Sequence, residues 1–228
     1  MIDPLRHLPL FSPDAFGQKR IDVIGAGATG SRIVLSLAKQ GIQHIHVWDF
    51  DRVENHNVPN QAFGLADVGR LKVEALHDIV KYQTGTDIIV HPDRVDGSQQ
   101  LGEVVYILTD TMSSRREIWD GAIKFKIQVK IMIETRMGVD QGRCYCINPS
   151  RLGHIREWED TLYNDDVAEV SACGASISVG PTAEFLSGLA VWQMFRWFSI
   201  EMGKNEGDEP DNEIIFGLRP TVFITRRF

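Results

Sequence analysis

Hydrophobic and polar positions run in two periods along this chain. Arg20 to Ile24 (RIDVI) is a short β-branched run followed by glycines, and SRIVLSLAKQ then repeats apolar positions at helical spacing up to Gly41. The strand HIHVWDF, a polar loop and the helical stretch LKVEALHDIVKY come next, and DIIVH and VVYILTD read as further strands. A helix through SSRREIWDGAIKF follows the second of these. Strands separated by helix-length segments imply right-handed crossovers and a parallel sheet. Beyond residue 126 the pattern changes. IQVKIMIETRMG and GRCYCINP read as strands joined by the turn GVDQG, Ser150 to Ser171 is polar and irregular, and a long helix runs from about Pro181 to Met202. Pro181 suits the first turn of that helix. GKNEGDEPDNE is expected to be a mobile acidic connection, and IIFGLRPTVFITRRF a terminal strand pair at the sheet edge. The expected fold is α/β: a Rossmann-like, doubly wound, mostly parallel sheet with antiparallel strands at one edge, in a single domain over 1–228.

Composition narrows the function classes. A chain of 228 residues suffices for one well-buried α/β domain. The net charge of -7 argues against a nucleic-acid surface, which needs a basic footprint. The N-terminal MIDPLRHLPLF lacks the long apolar core of a signal peptide. The stretch from Ile177 to Phe198 is interrupted by Pro181, Glu184 and Arg196, so it reads as a core helix and not a membrane span. An odd set of cysteines (Cys144, Cys146 and Cys173) suggests free thiols in a reducing compartment, and a cytoplasmic location is expected. No CxxC pair or histidine pattern supports a structural zinc site.

Candidate chemistry begins at Gly25-Ala26-Gly27-Ala28-Thr29-Gly30, a GxGxxG placed between a strand and a helix. Glycine permits a tight turn and close approach of a phosphate, and the helix N-terminus supplies N–H groups and a positive dipole end. Asp49 ends the next strand, where an acid can hold ribose hydroxyls. This much serves an NAD-dependent oxidoreductase equally well. The dense polar loop that follows does not: Asp51, then Glu54 to Gln61, then Asp67-Val68-Gly69 and Lys72. An enzyme that holds a triphosphate and exposes its α-phosphorus needs such a loop. A catalytically inactive scaffold of the same fold is the reading from another class.

VIGAGATGS, WDFDRVENHNVPNQ, DVGRLKVEAL and LTDTMSSRR occur in that order. In these motifs, over about residues 16 to 138, the chain resembles the superfamily of ThiF, MoeB and the ubiquitin-activating enzymes. The helix after Gly180 is similar to that family's closing helix. The resemblance implies an adenylyltransferase that uses ATP and Mg2+ to activate the C-terminal carboxylate of a ubiquitin-like or sulfur-carrier protein. It implies that Asp49 holds the ribose, that Lys72 neutralises charge on the α-phosphoryl group, and that Asn57 and Gln61 position phosphates. Asp110 would bind Mg2+, and Arg115 would orient that carboxylate or contact substrate. Asp51 and Asn60 complete the implied nucleotide-facing set, although Asp51 also fits a simple loop cap and Lys72 a solvated helix lysine.

One position departs from the family. Asn60 stands where the family's loop usually carries arginine, and a neutral amide replaces a charged fork. Arg52, Arg70 or a partner subunit would have to compensate. In family dimers an N-terminal arginine reaches the partner's site, which makes Arg6, on an arm over 1–18, the candidate, with a plain terminal charge as the alternative. Some members pass the acyl group to a cysteine. Cys173, in SACGAS within a crossover-like loop over 150–180, is the candidate, against a small packed residue. Cys144 and Cys146 alternate on a strand and read as buried core thiols. His44 and His46 alternate on the strand that ends at the nucleotide site, where partial burial is the default. Trp192, Phe195, Trp197 and Phe198 read as core or as a homodimer interface. A conjugating enzyme is a further expected partner.

Overall fold

The structure, a computed structural model, describes residues 3, 5, 8–167, 179–203 and 209–228. Its strands are β1 (Ile21–Ile24), β2 (Ile45–Trp48), β3 (Ile89–His91), β4 (Val104–Ile107), β5 (Ile131–Met137), β6 (Gln141–Ile147), β7 (Glu213–Leu218) and β8 (Thr221–Arg226). They form an eight-stranded sheet in the order β3-β2-β1-β4-β5-β6-β7-β8. The pairs from β3 through β5 are parallel, and β5 to β8 are antiparallel. The chain winds outward from β1 to β3, then returns to place β4 on β1's other side. That reversal opens a crevice beyond the carboxyl ends of β1 and β4, where doubly wound sheets bind ligands.

The helices are α1 (Pro13–Phe16), α2 (Gly30–Lys39), α3 (Lys72–Thr84), α4 (Met112–Ile118), α5 (Leu152–Glu159) and α6 (Gly180–Glu201). Strand residues alternate between two cores. Val104 and Tyr106 of β4 face a core shared with Ile33 and Leu37 of α2, Leu76 of α3 and Met194 of α6. Val105 and Ile107 face a second core with Ile118, Trp119, Ile155 and Trp158. The expected α/β sheet with an antiparallel edge is therefore present, covered on both faces.

Several local expectations are corrected. The segment from Ser150 is not irregular throughout, because α5 forms there and buries Ile155 and Trp158. Apolar residues three apart in an otherwise polar run are a thin helical stripe. The helix through SSRREIWDGAIKF ends its α-helical part at Ile118 and continues as a π-helical turn, Trp119–Ile123. The strand expected from residue 127 begins at Ile131, after Lys130 and Ile131 donate their N–H groups to the Glu103 carbonyl. Part of the expected arm belongs to the core: the Phe11 ring stacks on Phe195 at 4.4 Å between centroids, and Phe16 meets Phe198 edge-on at 5.0 Å. Phe195 and Phe198 are thus core residues, whereas Trp192 is half exposed. The acidic connection is anchored at its far end, where Asp211 accepts a 2.7 Å bond from Arg196. No described helix is long and apolar enough to cross a membrane.

Candidate nucleotide-binding site

β1 ends in the glycine turn, and the three glycines have different reasons to be there. Gly25 has φ +100°, and a Cβ on it would lie 2.8 Å from the Leu108 carbonyl oxygen beyond β4. A Cβ on Gly30 would strike the Gly25 carbonyl oxygen. Gly27 differs, because a Cβ there would meet nothing within 4 Å among the described residues. Its open face is where a ligand can approach the backbone. Among the described residues, no protein acceptor is bonded to the N–H groups of Gly27, Ala28, Thr29 and Gly30. With the N-terminus of α2, these donors form a cradle suited to an anion.

Asp49, just past β2, is tied to this turn. Its Oδ2 accepts the Ala26 N–H at 2.7 Å and its Oδ1 accepts the Asp51 N–H at 2.8 Å. Lys72, the first residue of α3, donates from Nζ to Asp51 Oδ2 at 2.7 Å and lies 4.0 Å from Asp49 Oδ2. The Lys72 N–H also bonds to the Asp51 carbonyl at 2.9 Å, which fixes the helix start against the end of β2. Burial raises the Asp49 carboxyl above its ordinary range, against the lowering pull of Lys72 and the two backbone donors. Asp51, read as a loop cap or a nucleotide-facing residue, is the direct partner of Lys72.

The polar loop is pinned over the turn. Asn57 is buried, and its Oδ1 accepts the Glu54 N–H at 2.8 Å. Asn60 and Gln61 both donate their N–H groups to the Asn57 carbonyl, and the Gln61 Oε1 is buried with no partner among the described residues. Ser31 links loop to turn, because its hydroxyl donates to the Gly27 carbonyl at 2.7 Å and accepts the Ala62 N–H at 3.1 Å. Ser31 closes the VIGAGATGS motif, but the motif does not show its tie to Ala62, 31 residues along the chain.

Asp110 follows β4 on the same carboxyl edge, exposed, two positions beyond the Leu108 carbonyl that packs on Gly25. Arg115 is placed differently from expectation. It is buried and donates to Glu134, to the Thr109 carbonyl and to the Thr135 carbonyl, the last at 3.0 Å. Its guanidinium therefore holds the backbone beside Asp110 and is not bonded to the Asp110 carboxylate. The arginines expected to compensate for Asn60 are also committed elsewhere. Arg52 donates to the Gly69 carbonyl at 2.7 Å, and Arg70 pairs with Asp67 and Asp78. Arg6 and Cys173 lie outside the described residues.

The sequence profile of the ThiF family matches residues 9–213 of this chain. The chain belongs to the ThiF family. Its curated relatives include the probable adenylyltransferase/sulfurtransferase MoeZ of Mycobacterium tuberculosis, 32% identical over 130 residues, or 52% of this chain and 33% of MoeZ. Another is the NEDD8-activating enzyme E1 catalytic subunit of Arabidopsis thaliana, 35% identical over 82 residues, or 35% of this chain and 18% of that subunit. The chain thus spans a third or less of these relatives. Among solved structures, E. coli MccB with ATP superposes with a TM-score of 0.69 at 14% identity, covering 94% of this chain and 65% of MccB. That likeness shows the fold.

Other residues of this ThiF-family chain fall outside the cradle. Cys144 and Cys146 are core residues, and burial pushes both thiols up, away from the reactive thiolate. His46 stacks with His91, which stacks in turn on Trp48. Burial first, and then the Arg20 charge, push the His46 imidazole down to about 4. It is a neutral packing residue at physiological pH. No group of three or more metal-ligating side chains occurs among the described residues.

Proposed function

We propose that this chain adenylates the C-terminal carboxylate of a ubiquitin-like or sulfur-carrier protein, using ATP and Mg2+. The observation that carries the reading is the gathering of the glycine cradle, Asp49, Asp51, Lys72 and Asp110 at one carboxyl edge of the sheet. The relatives named as a probable adenylyltransferase/sulfurtransferase and as a NEDD8-activating enzyme E1 catalytic subunit support it. The N–H groups from Gly27 to Gly30 would receive phosphate oxygens, and Asp49 would hold the ribose. Lys72 would move from Asp51 toward the α-phosphoryl group, where its charge offsets the charge developing in the transition state. Asn57, Asn60 and Gln61 would line the phosphate path. An exposed carboxylate such as Asp110 suits Mg2+, which is held by one or two carboxylates and completed by phosphate oxygens. Asp110 would hold it there, and the ion would offset phosphate charge. The substrate carboxylate attacks the α-phosphorus and pyrophosphate leaves. No general base is needed, because a carboxylate is already ionised at neutral pH.

The expected result is ATP–pyrophosphate exchange that requires a small carrier protein ending in Gly-Gly. A chain that binds NAD, shows no thermal shift with ATP and Mg2+, and catalyses no exchange would overturn the reading. A homodimer and a conjugating enzyme belong to the same proposal, as does transfer of the acyl group to Cys173. In that transfer the thiolate attacks the acyl carbonyl and AMP leaves. Cys173→Ala should abolish a thiol-labile carrier adduct and leave exchange intact; an adduct that survives the substitution removes Cys173 from the scheme.

A further inference from the structure

The cradle has a charge problem. Asp49, Asp51 and Asp110 outnumber Lys72 among the described residues, yet the site is to receive a triphosphate. Arg32, which no motif marks, sits beside the loop that carries Asn60. A Cβ on Gly180, at the start of α6, would lie 3.8 Å from the Arg32 Nη2, 3.7 Å from the Asn60 Cα and 2.8 Å from the Pro59 carbonyl oxygen. The guanidinium and the loop therefore border the same small gap. Arg32 stands in the first turn of α2, where the helix dipole disfavours a cation. A local rule broken in this way is expected where a side chain serves a ligand. Its Nε is buried with no acceptor among the described residues, and its Nη1 is held at 2.9 Å by Glu184. Glu184 is 65% exposed and Arg32 20%, so the pair is a weak, water-screened one that can exchange partners at little cost.

We infer that Arg32 is a nucleotide-binding residue of this site: it leaves Glu184 when ATP binds and brings to the β- and γ-phosphates the charged fork that Asn60 does not supply. A guanidinium offers paired donors that match phosphate oxygens. The inference rests on the adenylation reading for the identity of the ligand. It assigns Glu184 as the residue that parks the guanidinium in the nucleotide-free protein.

The test is calorimetric titration of the full chain with Mg-ATP and with AMP, with folding of each variant checked by thermal melting. Arg32→Ala should weaken ATP by about 10- to 100-fold and AMP by less than about threefold. Arg32→Lys should fall between Arg32→Ala and the unaltered chain, because it keeps charge without the fork. Adding Asn60→Arg to Arg32→Ala should restore most of the lost ATP affinity. An Arg32→Ala chain that binds ATP within about twofold of the unaltered one, or that loses ATP and AMP alike, overturns the assignment and leaves the adenylation reading standing. An unaltered chain that binds neither nucleotide overturns both.

Discussion

Replacing Glu134 by alanine is expected to destabilise the fold by about 3–5 kcal/mol, the range for stripping one partner from a buried ion network. Glu134 has no solvent exposure. Its carboxylate accepts from Arg115 and from Arg136 Nε at 2.7 Å on one oxygen, and from the Trp158 indole N–H at 2.6 Å on the other. Arg136 in turn donates to the Thr161 carbonyl at 2.8 Å and lies over the Tyr145 ring at 4.6 Å. Alanine would leave two guanidinium groups without their counter-charge and release Trp158 from the sheet. Urea unfolding at neutral pH measures the loss, and a change below about 1 kcal/mol would show that the network is not structural. The pH dependence follows with a definite sign. Burial raises the Glu134 carboxyl, but the charges of Arg115 and Arg136 more than offset it and hold it below its ordinary 4.5. A group depressed in the folded state adds stability above its unfolded value and loses it as pH falls toward the folded one. Glu134→Gln should therefore flatten the loss of stability that sets in as pH drops below 4.5.

That network also marks where the sequence stops being legible. The parallel half of the sheet is legible because each strand is short, apolar and followed by a helical stripe, and the glycine turn lies at the β1–α2 junction, at the carboxyl edge where doubly wound sheets bind ligands. Motif order marks Lys72 and Asp49, and the contacts that join them follow from the start of α3 bonding back to Asp51. Glu134 was hidden inside a β-branched run. Its meaning depends on Arg115, Arg136 and Trp158, and Trp158 lies on a helix whose polar sequence masks its two buried side chains. The resemblance implies a role for Arg115 at the Asp110 carboxylate or the substrate, whereas burial turns it inward onto Glu134. Arg32 depends on α6 returning across the first turn of α2, a contact 152 residues away in the chain. Local period and motif spacing report neighbours along the chain. Ion pairs between distant segments leave no such trace.

Lys72→Met is expected to lower ATP–pyrophosphate exchange by about 100- to 1,000-fold, the usual loss when a charge aimed at the transition state is removed. Methionine keeps the unbranched stem that packs at the start of α3, so the fold should persist. Lys72 is only 10% exposed and sits between Asp51 at 2.7 Å and Asp49 at 4.0 Å. The two carboxylates hold the ammonium at the edge of the cradle. Asp51 is 52% exposed and remains solvated without its partner, whereas Asp49 keeps its two backbone donors. The structural cost should thus stay at about 1 kcal/mol, since the direct partner Asp51 is half exposed and its pairing contributes little. The decisive contrast is between chemistry and ground-state binding. If Lys72 acts on the α-phosphoryl group as charge develops, kcat for exchange falls far more than ATP affinity, because only interactions that strengthen in the transition state accelerate the step. Equal losses in kcat/KM and in ATP affinity would reduce Lys72 to a ground-state phosphate ligand. A variant that retains normal exchange would place the chemistry elsewhere, since Asp49 and the glycine cradle alone describe a site that holds a nucleotide without activating it.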